Sequence, residues 1–252
     1  MADPRTQGLV DSLPLLVAAL GICHIAVSLV CSLAGPFRAA PHKAAHQIIS
    51  LVDHSICGLY GAYLWIFEAG AIEDKAYEYL EGAAVLLQAN FCFQVYDLLA
   101  SLFIKDFRKP EMIAHHLVTA VLAWWTITGP YLHYYSIFFV GCGEVSSIPL
   151  VFVDTFKHFP DVGKRVPTFD VVCKGLFALL FVPIRCIYWP LVSFEFWQLS
   201  LHLLNTQTAH NTPIVISFLA ANVFLTFLQE YWGYLVYRGV RKMLSGSDKK
   251  EK

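Results

Sequence analysis

His115 and His116 stand side by side about one turn inside KPEMIAHHLVTAVLAWWTITGPY (109–131), a stretch otherwise fit for hydrocarbon. Neutral imidazole, with an unperturbed pKa of about 6.5, can take a proton from a substrate or act as a nucleophile. A carboxylate beside it, Asp97 or Asp53, would fix the tautomer and stabilise the cation. Neighbouring residues of a helix point about 100° apart, so both rings cannot serve one small ligand. One is a candidate for chemistry and the other for structure. A metal pair would prefer i, i+4 spacing. His42 and His46 have it, but a di-iron desaturase needs several such boxes and no others are present, so no metal is expected.

The elements that must position these groups follow from composition. Of the 252 residues 57% are hydrophobic and 15% charged, with mean hydropathy +0.55, where a soluble domain is about a quarter charged. The net charge of −1 gives no pointer to nucleic acid. A span needs about 20 mainly apolar residues. On that template seven appear: 12–34, 46–68, 82–104, 112–129, 132–154, 171–194 and 213–237. The chain therefore reads as an all-α polytopic membrane protein, a bundle of about seven transmembrane helices. The first stretch lacks a basic n-region, since Arg5 is the only early cation, and reads as a retained span. The chain divides into an N-terminal tail, first span and loop (1–42), a helical domain (43–245) and a basic tail (246–252). All seven cysteines fall inside apolar stretches and read as small packing residues, with no disulfide framework.

Direction follows from lysine and arginine. Fifteen of the 18 basic residues fall in or near alternate connections and in the tail: Arg38 and Lys43; Lys105, Arg108 and Lys109; Lys157, Lys164, Arg165 and Lys174; then Arg238 onward. The cytosol is expected on that side, with the C-terminus, and the lumen at the N-terminus. Lys249 and Lys250, in the terminal KKEK, resemble a dilysine retrieval signal, which would make that retrieval machinery a partner and the endoplasmic reticulum the location.

At 1.5 Å per residue the depths of the buried polar groups can be compared. Asp53, His54 and Asp97 lie roughly 10 Å from the basic side, His115 and His116 about 5 Å, and Gln229 and Glu230 roughly 10–12 Å, with Glu144 deeper. Asn90, Gln94, Asp97 and Ser101 share one helix face by their i, i+4, i+7, i+11 spacing. Asn222, Thr226, Gln229 and Gly233 repeat it, and Gly141, Glu144 and Ser147 share another face. Ionisable residues within spans usually face the bundle interior or a wet cavity. A polar-lined pocket opening toward the basic side is therefore expected. It would place Asp53, His54, Gln94, Glu144, Ser147, Arg185 and Gln229 around substrate, beside the catalytic candidates His115, His116 and Asp97. Mid-span Arg185 needs an anion, with Glu144 the natural partner and a phosphate the other. Lys105, Arg108 and Lys109 stand at that side, where the phosphates of a ligand could be attracted. A rhodopsin is excluded, because the seventh span carries no lysine.

These residues resemble the TLC-domain family, which includes the ceramide synthases. The resemblance rests on Ser50 and His54 in IISLVDHSI, Tyr96 and Asp97 in QVYDLL, the pair His115 and His116, Arg185 with Trp189-Pro190 in RCIYWP, and the late LQEYWGYLV; it covers about 43–245. Where ceramide synthases carry a further histidine–aspartate and serine–aspartate, this chain reads GCGEVSSIPLVFVD, and their homeobox-like insert is absent. It is closer to the small TLC-domain-containing proteins. The resemblance implies three roles: binding or sensing of membrane lipids in sphingolipid and phospholipid homeostasis, N-acylation of a sphingoid base with acyl-CoA as co-substrate, and cargo reception. It implies no bound cofactor and allows a homo-oligomer.

Overall fold

The computed structural model describes residues 5–33, 35–129 and 131–245, and these are helical almost throughout. Seven long rods follow in chain order: α1 (Gln7–Leu33), α2 (Pro41–Phe67), α3 (Glu81–Phe103), α4 (Pro110–Thr128), α5 (His133–His158), then, after the short α6 (Pro160–Arg165), α7 (Pro167–Asn205) and α8 (Thr212–Leu244). Five of them, α1, α3, α5, α7 and α8, are long and apolar enough to cross a membrane. The other two, α2 and α4, are diluted by the histidines and carboxylates that they turn toward the others. Large apolar side chains cover the outside: Leu33 is 87% exposed, Phe103 83% and Phe227 73%. Water would not tolerate such a belt, and hydrocarbon does. The molecule is a polytopic helical membrane bundle.

Prolines set the starts of α2, α4, α6 and α7, where the missing N–H costs nothing. α8 begins with Asn211, whose side chain accepts from the Ile214 N–H at 3.2 Å. The hairpin read from Gly129-Pro130-Tyr131 joins α4 to α5 in four residues, with Pro130 outside the described residues. Leu132 takes the left-handed conformation there (φ 65°) and its N–H reaches Ala76 O at 2.8 Å.

Two rods depart from the spans read in the sequence. α5 is wound as a π-helix over Ile137–Gly141 and as a 3₁₀-helix over Cys142–Ser146. α7 runs eleven residues past the expected end at 194 and is wound as a π-helix over Val182–Tyr188, where Pro183 cannot donate to the ladder. Hydropathy reports length and apolarity, not helical pitch, so these turns left no mark on the span count.

The half of the bundle away from the basic loops holds the main core: Tyr131, Tyr135, Phe138, Trp189, Phe196 and Phe218 pack together there. Beside that core, α2 and α5 touch backbone to backbone. A Cβ on Gly61 would lie 2.3 Å from Gly141 Cα, and one on Gly58 2.9 Å from Val145 N. Small residues allow such an approach between membrane helices, and here it brings His54 against Glu144.

Gly61→Ala therefore overpacks the crossing, which costs about 1–3 kcal/mol and should lower the unfolding temperature in detergent. Gly21→Ala, in α1 with nothing within 4 Å of the new methyl, should raise it or leave it level, alanine being the better helix former by about 1 kcal/mol.

Candidate functional site

Asp97, on α3, is the hub of the first cluster. His46 Nε2 of α2 donates to Asp97 Oδ1, and His116 Nε2 of α4 lies 2.5 Å from Oδ2. One carboxylate thus fixes the tautomer of two imidazoles, each with its proton on Nε2 in the neutral ring. His116 Nδ1 is 2.5 Å from the Gln94 side-chain amide, whose nitrogen donates to a neutral ring once the amide is turned to face it. His46 is further held by Phe107, ring centroids 4.2 Å apart, and by Ser50 Oγ at 3.4 Å. α1 supports the cluster from outside: His24 Nδ1 lies 2.8 Å from Tyr96 Oη and its Nε2 3.3 Å from His42. The i, i+4 pair His42 and His46 is thus divided between two partners. Among the described residues no group of three or more His, Cys, Asp or Glu could hold a metal ion.

The second cluster sits where the helical winding of α5 and α7 changes. Arg185, 5% exposed, donates through Nη2 to Glu144 Oε1 and Ser147 Oγ, both at 3.0 Å. Its Nε reaches Gly143 O at 3.1 Å and Ser146 Oγ at 3.0 Å, and Nη1 reaches Gln229 Oε1 at 3.3 Å. The 3₁₀ stretch aims the Gly143 carbonyl and the Ser146 hydroxyl at the guanidinium together. Glu144 is the anion paired with Arg185, as its place in the sequence led one to expect. The other carboxylate oxygen of Glu144 lies 3.1 Å from His54 Nδ1.

His115 stands between the clusters. Its Nδ1 is buried with no hydrogen-bond partner, and its ring packs edge-on against His116 and Trp232, at 5.2 and 5.4 Å between centroids. The two adjacent histidines have therefore divided their work: His116 is clamped by Asp97 and Gln94, while His115 keeps a free nitrogen.

Three cavities lie in a row along this set. The mouth, about 490 Å³, is bordered by Lys109, Lys157, Asp106, Asp154 and Ser101 at the basic end. A middle chamber of about 320 Å³ shares His46, Asp97 and His116 with it. A deep chamber of about 70 Å³ meets the middle one at Gln94, His115, Glu144 and Arg185 and runs among Leu122, Phe139, Trp189, Phe196 and Phe218.

Most of the residues picked out in the sequence border this row: His54, Gln94, Asp97, His115, His116, Glu144, Ser147 and Arg185. Asp53 and Gln229 do not. Asp53 lies beside His54 and takes the Cys57 thiol at 3.7 Å, and Gln229 stands behind Arg185. Glu230 is turned to the exterior, one residue being enough to rotate it off the inner face. Of the three loop cations, Lys109 borders the mouth, whereas Arg108 caps α3 by donating to the carbonyls of Ser101 and Leu102. The stripe on α8 binds α7: Trp197 donates to Asn222, Trp189 to Thr226 and Arg185 to Gln229, while Gly233 makes room for Cys186. His46 and Asp154 were missed. For His46 the signal was available in its i, i+4 relation to Ser50; for Asp154, near the end of a span, there was none.

A membrane bundle whose helices converge on a histidine–carboxylate chamber is the class that fold and site define. The family model described as the TLC domain matches residues 43–238, and the protein belongs to the TLC-domain family. No curated protein matches the chain. α1, with His24 and Ser28, precedes the matched region.

Removing one partner from a buried pair leaves the other charge uncompensated, at about 3–5 kcal/mol. Arg185→Met should therefore collapse the unfolding temperature, and adding Glu144→Gln should recover part of it. Among the histidines, His116→Ala should lower the unfolding temperature and His115→Ala should leave it within a degree or two, because only His116 loses bonded partners.

Proposed function

We propose that this protein binds a single lipid chain, with the polar end of the lipid at the His115–Asp97–Glu144 level and the hydrocarbon in the deep chamber. One observation carries the reading: the cavities pass from a charged mouth, through a polar chamber, to an apolar end closed by aromatic rings. Pockets of this kind, apolar with a few fixed polar groups, orient their ligand by those groups. Membership of the TLC-domain family supports a role in lipid homeostasis, as a binder or sensor of sphingolipid or phospholipid. The excess of lysine and arginine in the connections on that side of the bundle supports a cytosol-facing opening with the N-terminus lumenal. The dilysine pair Lys249 and Lys250, which supports residence in the endoplasmic reticulum through the retrieval machinery, lies outside the described residues.

A second reading, N-acyl transfer from acyl-CoA to a sphingoid base, is favoured by one feature: His115 borders both the middle and the deep chamber, and no protein group claims its Nδ1. The amine nitrogen would attack the thioester carbonyl while His115 takes the amine proton. The C–N bond forms, the C–S bond breaks, and the proton passes to the departing thiolate.

Two measurements check these readings. Leu122→Trp narrows the deep chamber, so the lipids bound by the purified variant should shift to shorter chains; an unchanged profile contradicts chain binding there. Purified protein given acyl-CoA and a sphingoid base should form amide if the second reading holds, with at least a hundredfold loss in His115→Ala. No amide from the native chain at any acyl length removes acyl transfer and leaves binding.

A further inference from the structure

The mouth carries charge that its own residues leave unmatched. Asp154, on α5, borders both the mouth and the middle chamber and is part-exposed. No described residue hydrogen-bonds or ion-pairs with its carboxylate, and both oxygens reach the surface. Lys109 and Lys157 border the mouth alone, exposed and equally without an ion-pair partner among the described residues. The other carboxylates there are answered, Asp106 by Lys43 and Asp97 by His46 and His116. Spacing would let Asp154 and Lys157 close on each other. Asp161 and Lys164, in the same order at the same i, i+3 spacing, do so at 2.9 Å, and Asp170 and Lys174 pair at 2.7 Å. Around the cavity the charges stay apart. Their order is also fixed: Lys157 lies three residues, about 4.5 Å, nearer the basic end of α5 than Asp154, and neither lysine borders the middle chamber. From the inside outward, a ligand meets a partner for a cation first and for an anion second.

We propose that the mouth holds the head of a single-chain lipid that carries an ammonium group next to its chain, at Asp154, and a phosphate farther out, at Lys109 and Lys157. This rests on the reading of the cavities as a lipid-chain site and specifies the class of head. A long-chain 2-amino-alcohol 1-phosphate has that order, with ammonium on the carbon just inside the one that bears phosphate. A lysophospholipid with an ethanolamine head has the reverse order, phosphate inside and ammonium outside. A phosphate is the anion that lysine point charges suit, and an ammonium offers three donors to a carboxylate that has none of its own.

The test measures binding of four amphiphiles to the full-length protein in phosphatidylcholine nanodiscs, against empty nanodiscs: sphinganine 1-phosphate, sphinganine, octadecyl phosphate and stearoyl lysophosphatidylethanolamine. The first should bind about tenfold more tightly than each of the others, the worth of one charge-assisted hydrogen bond. Asp154→Asn should remove its advantage over octadecyl phosphate, and Lys109→Gln with Lys157→Gln its advantage over sphinganine. All three positions are at least part-exposed, so the variants keep the bundle. An advantage that survives either variant overturns the inference. So does sphinganine 1-phosphate bound no more tightly than the other three, and chain binding then stands. Binding of none of the four contradicts the chain-binding reading and this inference with it.

Discussion

A guanidinium inside a membrane bundle persists only if the protein answers its charge and most of its donors, because hydrocarbon offers it nothing. Arg185 is answered by a carboxylate, two hydroxyls, a backbone carbonyl and a side-chain amide drawn from α5 and α8. Much of the structure follows from that requirement. α5 must present Glu144, Ser146, Ser147 and the Gly143 carbonyl toward one point, which a regular α-helix would spread around its circumference. The 3₁₀ winding over Cys142–Ser146 gathers them. α2 must come close enough for His54 to reach the other oxygen of Glu144, and Gly58 and Gly61 remove the side chains that would hold it away.

Asp97 solves the same problem with opposite sign. A lone carboxylate at this depth would be as costly as a lone guanidinium, and the N–H groups of His46 and His116 share the load. The two clusters leave His115 between them with a nitrogen uncommitted. The His115 side chain borders both the middle and the deep chamber. The site therefore separates rigid parts, which hold charge, from one imidazole free to meet a ligand. π-wound turns recur at functional sites in other helical proteins, and here Arg185 lies on one of them.

Much of this was legible in the sequence, for a stated reason. Apolar runs interrupted by charge give the rods directly, since hydrocarbon tolerates little else. Depth along a rod follows from a fixed rise, so Asp97, His115, His116 and His54 could be set at nearly one level before any contact was known. The pairing of Glu144 with Arg185 followed from the cost of leaving either alone. What periodicity could not supply is azimuth near a change of pitch, or which of two adjacent polar residues looks inward. Gln229 faces Arg185 while Glu230 faces out, and Asp53 stays off the chamber that its neighbour His54 enters. His46 escaped because it stands at the first turn of a span, where a polar residue needs no internal partner to be tolerated. Arg108 looked like part of a basic mouth, but its distance from the end of α3 suited the last carbonyls of that helix instead.

The most direct measurement places a photoreactive diazirine at the end of a fatty acyl chain and maps where it attaches in the intact protein. The account predicts labels on the inner wall of the deep chamber, at Tyr135, Phe196 and Phe218, competed away by unlabelled lipid. Labels confined to the outward-facing Phe103 and Phe227, unaffected by competitor, would contradict it.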